Sequence, residues 1–279
     1  MDWSWAGPPI DARSLFPLEP AELIALLDGV AADDWQRPTV CPGWCVHDIV
    51  AHIVHDYVRK LARSRDGHES AGPRIGEDMP AFLHLVNQDF VGVSSGWSPR
   101  VLIDLLGHLG PQLDEYWAGL ELDRLGEPVS WAAPDEPAPA WLDMAREYSE
   151  YWVHQQQIRD AVGRPGADED RLVGPVIDVF LRAIPYALRD VPASAGASLD
   201  IAVFGPGGGS WVVSRGDARW SIGYGAAAGQ AAARIRLSSD QLWRVATRGI
   251  GIQTALADAG ITGDHALAAA AMSLVSIIR

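Results

Sequence analysis

The apolar residues of this chain change their spacing once, and that change constrains the fold more than any other feature. From residue 46 to 63 they fall at Val46, Ile49, Val50, Ile53, Val54, Tyr57, Val58 and Leu61. Steps of three and four line one face of a helix. Residues 20–31 repeat the pattern behind Pro20, a residue suited to a first helical turn. Residues 79–93, 99–120 and 138–162 repeat it again, with Pro111 predicting a kink or split in the fourth helix. The loop at 37–44 (RPTVCPGW) is rich in turn formers. Four principal helices of this length predict an up-and-down bundle over residues 1–165.

Residues 163–171 (GRPGADEDR) have no periodicity and read as a linker. Beyond them one helix is expected at 172–188. Short β-like runs follow at 198–204, 210–214, 219–224 and 233–237, separated by glycine-rich turns. Helical spacing returns at 240–247 and 265–278. Residues 172–279 therefore predict a small α+β domain with an antiparallel sheet, and the whole chain a mainly α protein.

Charge follows the same division. The formal net charge is -14, and residues 1–165 hold 26 of the 36 acids, 12 of the 22 basic residues and seven of the eight histidines. An acidic chain argues against nucleic-acid binding, which needs a basic face. No apolar run reaches the ~20 residues of a membrane span, and the first residues lack the pattern of a signal peptide. Cys41 and Cys45 alone cannot build a disulfide framework, which points to a reducing cytoplasm.

Chemistry-bearing residues concentrate on two helices. His52 and His55 are three apart on the second helix and share a face. Glu150 and His154 are four apart on the last bundle helix. In an antiparallel bundle the two faces can meet, and His52, Glu150 and His154 would form a His₂–carboxylate metal site with open positions. The plainer reading is a solvated histidine and a surface glutamate, but Tyr148, Trp152 and Val153 make that helix apolar on several sides, and a buried Glu or His needs a partner. His55 is a reserve ligand or a neighbour of the site. His47 is expected to be exposed near its helix start, and Asp48 favours the helix N-terminus. Cys41 and Cys45 lack the second pair of a zinc finger. Residues 205–210 (GPGGGS) lack the Lys-Ser/Thr of a phosphate loop and predict a hairpin turn. Arg234, Arg236, Arg244 and Arg248 are read as surface arginines able to meet an anion; Trp243 is read as core.

Two stretches resemble a known family. The segment 34–52, DWQRPTVCPGWCVHDIVAH, is similar to the signature W-x-x-P-T-x-C-P-G-W-x-V-x-D-hh-x-H (h, hydrophobic) of the mycothiol-dependent maleylpyruvate isomerase family, whose last histidine is a metal ligand. That position is His52. The segment 150–163, EYWVHQQQIRDAVG, is similar to E-x-x-x-H-x-x-D-I-x-x-A-x-G, whose Glu and His are the remaining ligands, here Glu150 and His154. Gln157 stands where aspartate is usual. Residues 237–248 and 261–267 resemble the family's second domain.

The resemblance implies a DinB-like four-helix bundle followed by a small sterol-carrier-like domain. It implies zinc as the divalent metal and mycothiol as thiol cosubstrate. The cofactor's thiolate would add to the cis double bond of maleylpyruvate, and rotation and elimination would give fumarylpyruvate. The same ligands would equally serve a mycothiol S-transferase, and a chain without turnover would be a metal or small-molecule binding protein. An isomerase also needs a cation for its dicarboxylate substrate, for which Arg244 is the candidate; His55 is the candidate for proton transfer. The expected partners are a small-molecule substrate, with neither nucleic acid nor membrane, in a monomer or homodimer.

Overall fold

The computed structural model describes residues 2–68, 79–132 and 137–274. Its contacts divide the chain into two units. One comprises Arg13–Leu120 and His154–Gly166; the other comprises Met1–Ala12, Glu121–Val153 and Ala167–Arg279. One of its boundaries, between Gly166 and Ala167, lies within the stretch 163–171. The others fall between Ala12 and Arg13, between Leu120 and Glu121, and within one helix between Val153 and His154, which places the first residues with the end of the chain.

The first unit is helical. Helix α1 is Leu18–Asp28, α2 Val46–Lys60, α3 Met79–Ser94 and α4 Pro99–Ala118, joined by the C-terminal part of α5, Ala140–Val162. Helix α2 packs on α3 and α4, and α1 on α4. The apolar stripe of α2 is buried as its spacing requires, except for the exposed Val58. Trp117 anchors the core, with its ring 5.0 Å from that of Phe16 and the Lys60 ammonium 4.9 Å from its centre. Contrary to the expectation of a split, α4 continues through Pro111. A proline costs a helix interior ~3 kcal/mol or more. Burial of Leu102, Leu106, Leu113 and Trp117 on one face outweighs this, at about 1.5–3 kcal/mol for each large apolar side chain.

The second unit holds a five-stranded sheet. Its strands are β1 Ser198–Phe204, β2 Gly209–Arg215, β3 Trp220–Tyr224, β4 Ala233–Ser238 and β5 Gly260–Gly263, in the order β3-β2-β1-β4-β5. The hairpin turn expected at 205–210 is present, with residues 205–208 joining β1 to β2. The sheet is mixed rather than antiparallel: β1 and β4 run parallel, while the other three pairs are antiparallel. The hairpin partners β2 and β3 lie on one side of β1, and β4 takes the other edge. Leu199, Ile201, Val203, Ile235 and Leu237 alternate inward. Helices α6 (Asp170–Leu181) and α8 (Ser239–Ala246) pack on each other, and α8 also packs on β1 and β4.

Other boundaries follow local chemistry. The helix expected at 172–188 is two helices, α6 and α7 (Ile184–Ala187), because Pro185 begins a new first turn. Helix α9, Ile252–Asp258, and strand β5 lie outside the expected elements, since the four residues of β5 offer too little alternation to be read. Helix α10 is His265–Ala271; residues 275–278 of the helix expected there lie outside the described residues. No helix among the described residues is long and apolar enough to cross a membrane.

A buried ion pair ties α6 to the sheet and to the first residues of the chain. Asp178 accepts from Arg182 at 2.8 Å, from Trp211 Nε1 at 2.8 Å and from the Tyr224 hydroxyl at 2.6 Å. Arg182, fully buried, also donates to the carbonyl of Ala6. Gly7 follows with φ +77°, and a Cβ there would strike the Arg182 guanidinium. Removing the carboxylate strands a buried cation, so Asp178→Ala is expected to lower the unfolding free energy by about 3–5 kcal/mol in a urea titration.

Candidate metal centre

The site begins with a turn. In Cys41-Pro42-Gly43-Trp44, the Trp44 N–H donates to the Cys41 carbonyl at 3.0 Å, and Gly43 has φ +81°. This is a type II turn: proline suits its second position, and glycine suits the left-handed third position. Thr39 Oγ1 braces it, accepting from the Cys41 N–H at 3.2 Å and donating to the Trp44 carbonyl at 2.9 Å. Cys45 then precedes α2, and its N–H donates to the Asp48 carboxylate at 2.9 Å. Asp48 thus caps a helix terminus that lacks intrahelical partners.

Helix α2 carries His52 to the buried face. Its Nε2 stands 3.3 Å from Asp56 Oδ2, one turn on, and Asp56 also accepts from Arg59 at 3.0 Å. The Trp44 indole lies against the His52 ring, centroids 5.2 Å apart. The His154 ring meets His52 edge-on at 4.8 Å. Glu150 is one turn before His154 on α5, and because that helix is continuous their spacing is a property of the helix itself. One ligand atom from each of His52, Glu150 and His154 lies within 4.8 Å of the other two. Both histidines are buried and Glu150 is half-buried. Two imidazoles and one carboxylate are the protein ligands of open catalytic zinc sites, so the donor set fits such an ion.

A second group, His52, His55 and Asp56, has similar spacing. Its carboxylate is already engaged by Arg59. His55 stacks on Phe90, centroids 4.5 Å apart, and burial lowers its pKa below the ordinary value.

Other expected residues lie as follows. His47 is buried rather than exposed: its Nε2 is 3.0 Å from the Trp97 carbonyl, a partner fifty residues away that no local pattern announces. Arg244 pairs with Asp240 at 2.9 Å and lies over the Trp243 ring, 4.2 Å from its centre. Trp243 is core and meets Trp152 at 5.8 Å; Trp152 sits on α5 between Glu150 and His154. Arg234 pairs with Asp200, and Arg236 lies over Phe204.

Three neighbours of the site were not singled out for their contacts from the sequence. Asp56 follows His52 by four residues, a shared-face spacing that points to it. Gln157 follows His154 by three, and its Oε1 is 2.7 Å from His154 Nδ1. Cys41 donates its S–H to the same oxygen at 3.2 Å. No local pattern predicts that last contact, which joins residues 116 positions apart.

The chain matches the family model described as mycothiol maleylpyruvate isomerase N-terminal domain over residues 16–159, more than half its length. The chain belongs to the mycothiol maleylpyruvate isomerase family. Solved structures similar to it include a mycothiol-dependent maleylpyruvate isomerase, at 18% identity and a TM-score of 0.50, with 85% of this chain and 88% of that chain covered. A histidine-to-alanine mutant of a mycothiol-dependent maleylpyruvate isomerase matches at 17% identity, with the same coverage and TM-score. At such identities the likeness is one of fold. No curated protein matches in sequence.

Beside the site, this family member buries an acid. Glu19 on α1 accepts from Gln155 Nε2 at 2.7 Å, and burial raises its pKa from 4.5 to about 7. Between those values the unfolded chain binds fewer protons than the folded one, so stability falls as pH rises from 4.5 to about 7 and then levels. Glu19→Gln should flatten that part of the stability profile, measured by urea unfolding at several pH values.

Proposed function

We propose that this chain is a metal- and mycothiol-dependent enzyme acting on an electrophilic small molecule, with cis–trans isomerisation of a maleylpyruvate-type substrate as its reaction. Family membership together with the convergence of His52, Glu150 and His154 carries the reading. On it, the helical unit is a DinB-like four-helix bundle, the sheet-bearing unit is sterol-carrier-like, and the protein works in the cytoplasm.

His52, Glu150 and His154 would hold the ion, zinc by the chemistry of the donor set. A bound divalent cation lowers the pKa of a thiol and so makes thiolate available at neutral pH. The protein's own residues shape the surroundings. Trp44 covers one side of His52 and limits water there. Burial keeps His55 uncharged near neutrality, in the form that accepts a proton. Arg244 is the cation assigned to a substrate carboxylate. Its support is the stack from Arg244 through Trp243 to Trp152, which borders the ligand turn of α5. Cys45 is half-buried with its pKa raised, chiefly by burial, and that suits neither a thiolate nucleophile nor a ligand.

Metal analysis tests the ligands. The purified protein should carry about one divalent ion per chain, and His154→Ala should lose it; equal metal content in both would remove the assignment. Mycothiol with maleylpyruvate should then give turnover visible in ultraviolet absorbance. Turnover only on an alkylating electrophile, with the thiol consumed, would replace the isomerase by an S-transferase.

A further inference from the structure

Gln157 receives two donors on one oxygen. His154 Nδ1 lies 2.7 Å from its Oε1, and the Cys41 thiol 3.2 Å from the same atom. All three residues are buried: His154 is 1% exposed, Gln157 2% and Cys41 5%. An amide oxygen has two lone pairs, so it can take both hydrogens. With Oε1 as acceptor, His154 must carry its proton on Nδ1, and the lone pair on Nε2 is left to bind a cation. The opposite arrangement, with the amide nitrogen donating to both, would put the proton on Nε2 and spoil that atom as a ligand.

We propose that the Cys41–Trp44 turn and Gln157 form a positioning device that fixes the tautomer and ring rotation of His154. The inference rests on the metal-site reading above. Cys41 is the fixed end. Its carbonyl accepts from Trp44, its N–H donates to Thr39, and its S–H holds the Gln157 amide with the oxygen turned toward the imidazole. Gln157 is then restrained from two sides, by its own helix and by a turn 116 residues earlier. The other corner of the turn, Trp44, packs on His52. One four-residue turn therefore bears on both imidazoles of the ligand set. It reaches His52 by direct ring contact and His154 through a relayed hydrogen bond. A neutral amide is a weaker acceptor than a carboxylate and leaves the imidazole less basic, so the Cys41 restraint supplies orientation that Gln157 alone would not.

The test uses two readouts on the full chain. The first is the ¹⁵N shifts of the His154 ring in the metal-free protein. The second is zinc affinity, by competition with a chelator. The wild type should show the Nδ1–H tautomer. Gln157→Leu should show a mixture of tautomers and bind zinc about 10–100-fold more weakly. Cys41→Ser should keep both properties, because a hydroxyl still donates. Cys41→Ala should weaken zinc binding less than Gln157→Leu does, and adding it to Gln157→Leu should cost nothing more. Should Gln157→Leu fail to fold, Gln157→Glu decides: a stronger acceptor should hold the tautomer and tighten zinc binding, and weaker binding would overturn the proposal. An Nε2–H tautomer in the wild type would also overturn it, as would a folded Gln157→Leu chain with tautomer and affinity unchanged. Absence of zinc binding by a wild type with the expected, Gln157-dependent tautomer would overturn the metal reading and leave the positioning role standing.

Discussion

Helix α5 buries polar side chains along most of its length, and each of them must find a partner away from water. Asp143, Glu147, Ser149, His154, Gln155, Gln157 and Arg159 are all buried. The first half answers locally: Arg146 bridges Asp143 and Glu147, and the Tyr151 hydroxyl donates to Glu147. The second half reaches to other segments. Gln155 donates to Glu19 and accepts from Arg159, while His154 and Gln157 meet His52 and Cys41. A helix so committed cannot slide or rotate without stranding several groups at once. The helical repeat sets the spacing of Glu150 and His154, and that commitment holds the helix in place.

The turn before α2 plays the complementary part. Pro42 and Gly43 determine its conformation, and Cys41 and Trp44 use its two corners. Neither corner residue has chemistry of its own in the proposed reaction. Both act by contact, one through packing and one through a hydrogen bond, so a loop with no catalytic group still governs how the imidazoles lie.

Much of this was legible in the sequence where the signal is local. Helix α2 and strands β1 to β4 could be read because a single period runs through each. The grouping of His52, Glu150 and His154 could be read because all three fall within two specific motifs. What could not be read depends on distant partners. His47 lies buried because of a carbonyl at Trp97. In the run Gln155-Gln156-Gln157 only Gln157 shares a face with His154, three residues on, while the other two find partners outside the helix, Glu19 and Gly166. The parallel pairing of β1 with β4 is made across the intervening β2–β3 hairpin, and no strand's own residues encode it. Pro111 does not split α4 because its cost to the backbone is opposed by four buried side chains.

The short segment at the start of the chain has a kinetic consequence. Residues Ser4–Ala6 pack on β3, and the Ala6 carbonyl is satisfied by Arg182. These contacts span about two hundred residues, and loop-closure entropy must be overcome before they form. Contacts of such separation form more slowly than the local pairings within each helix.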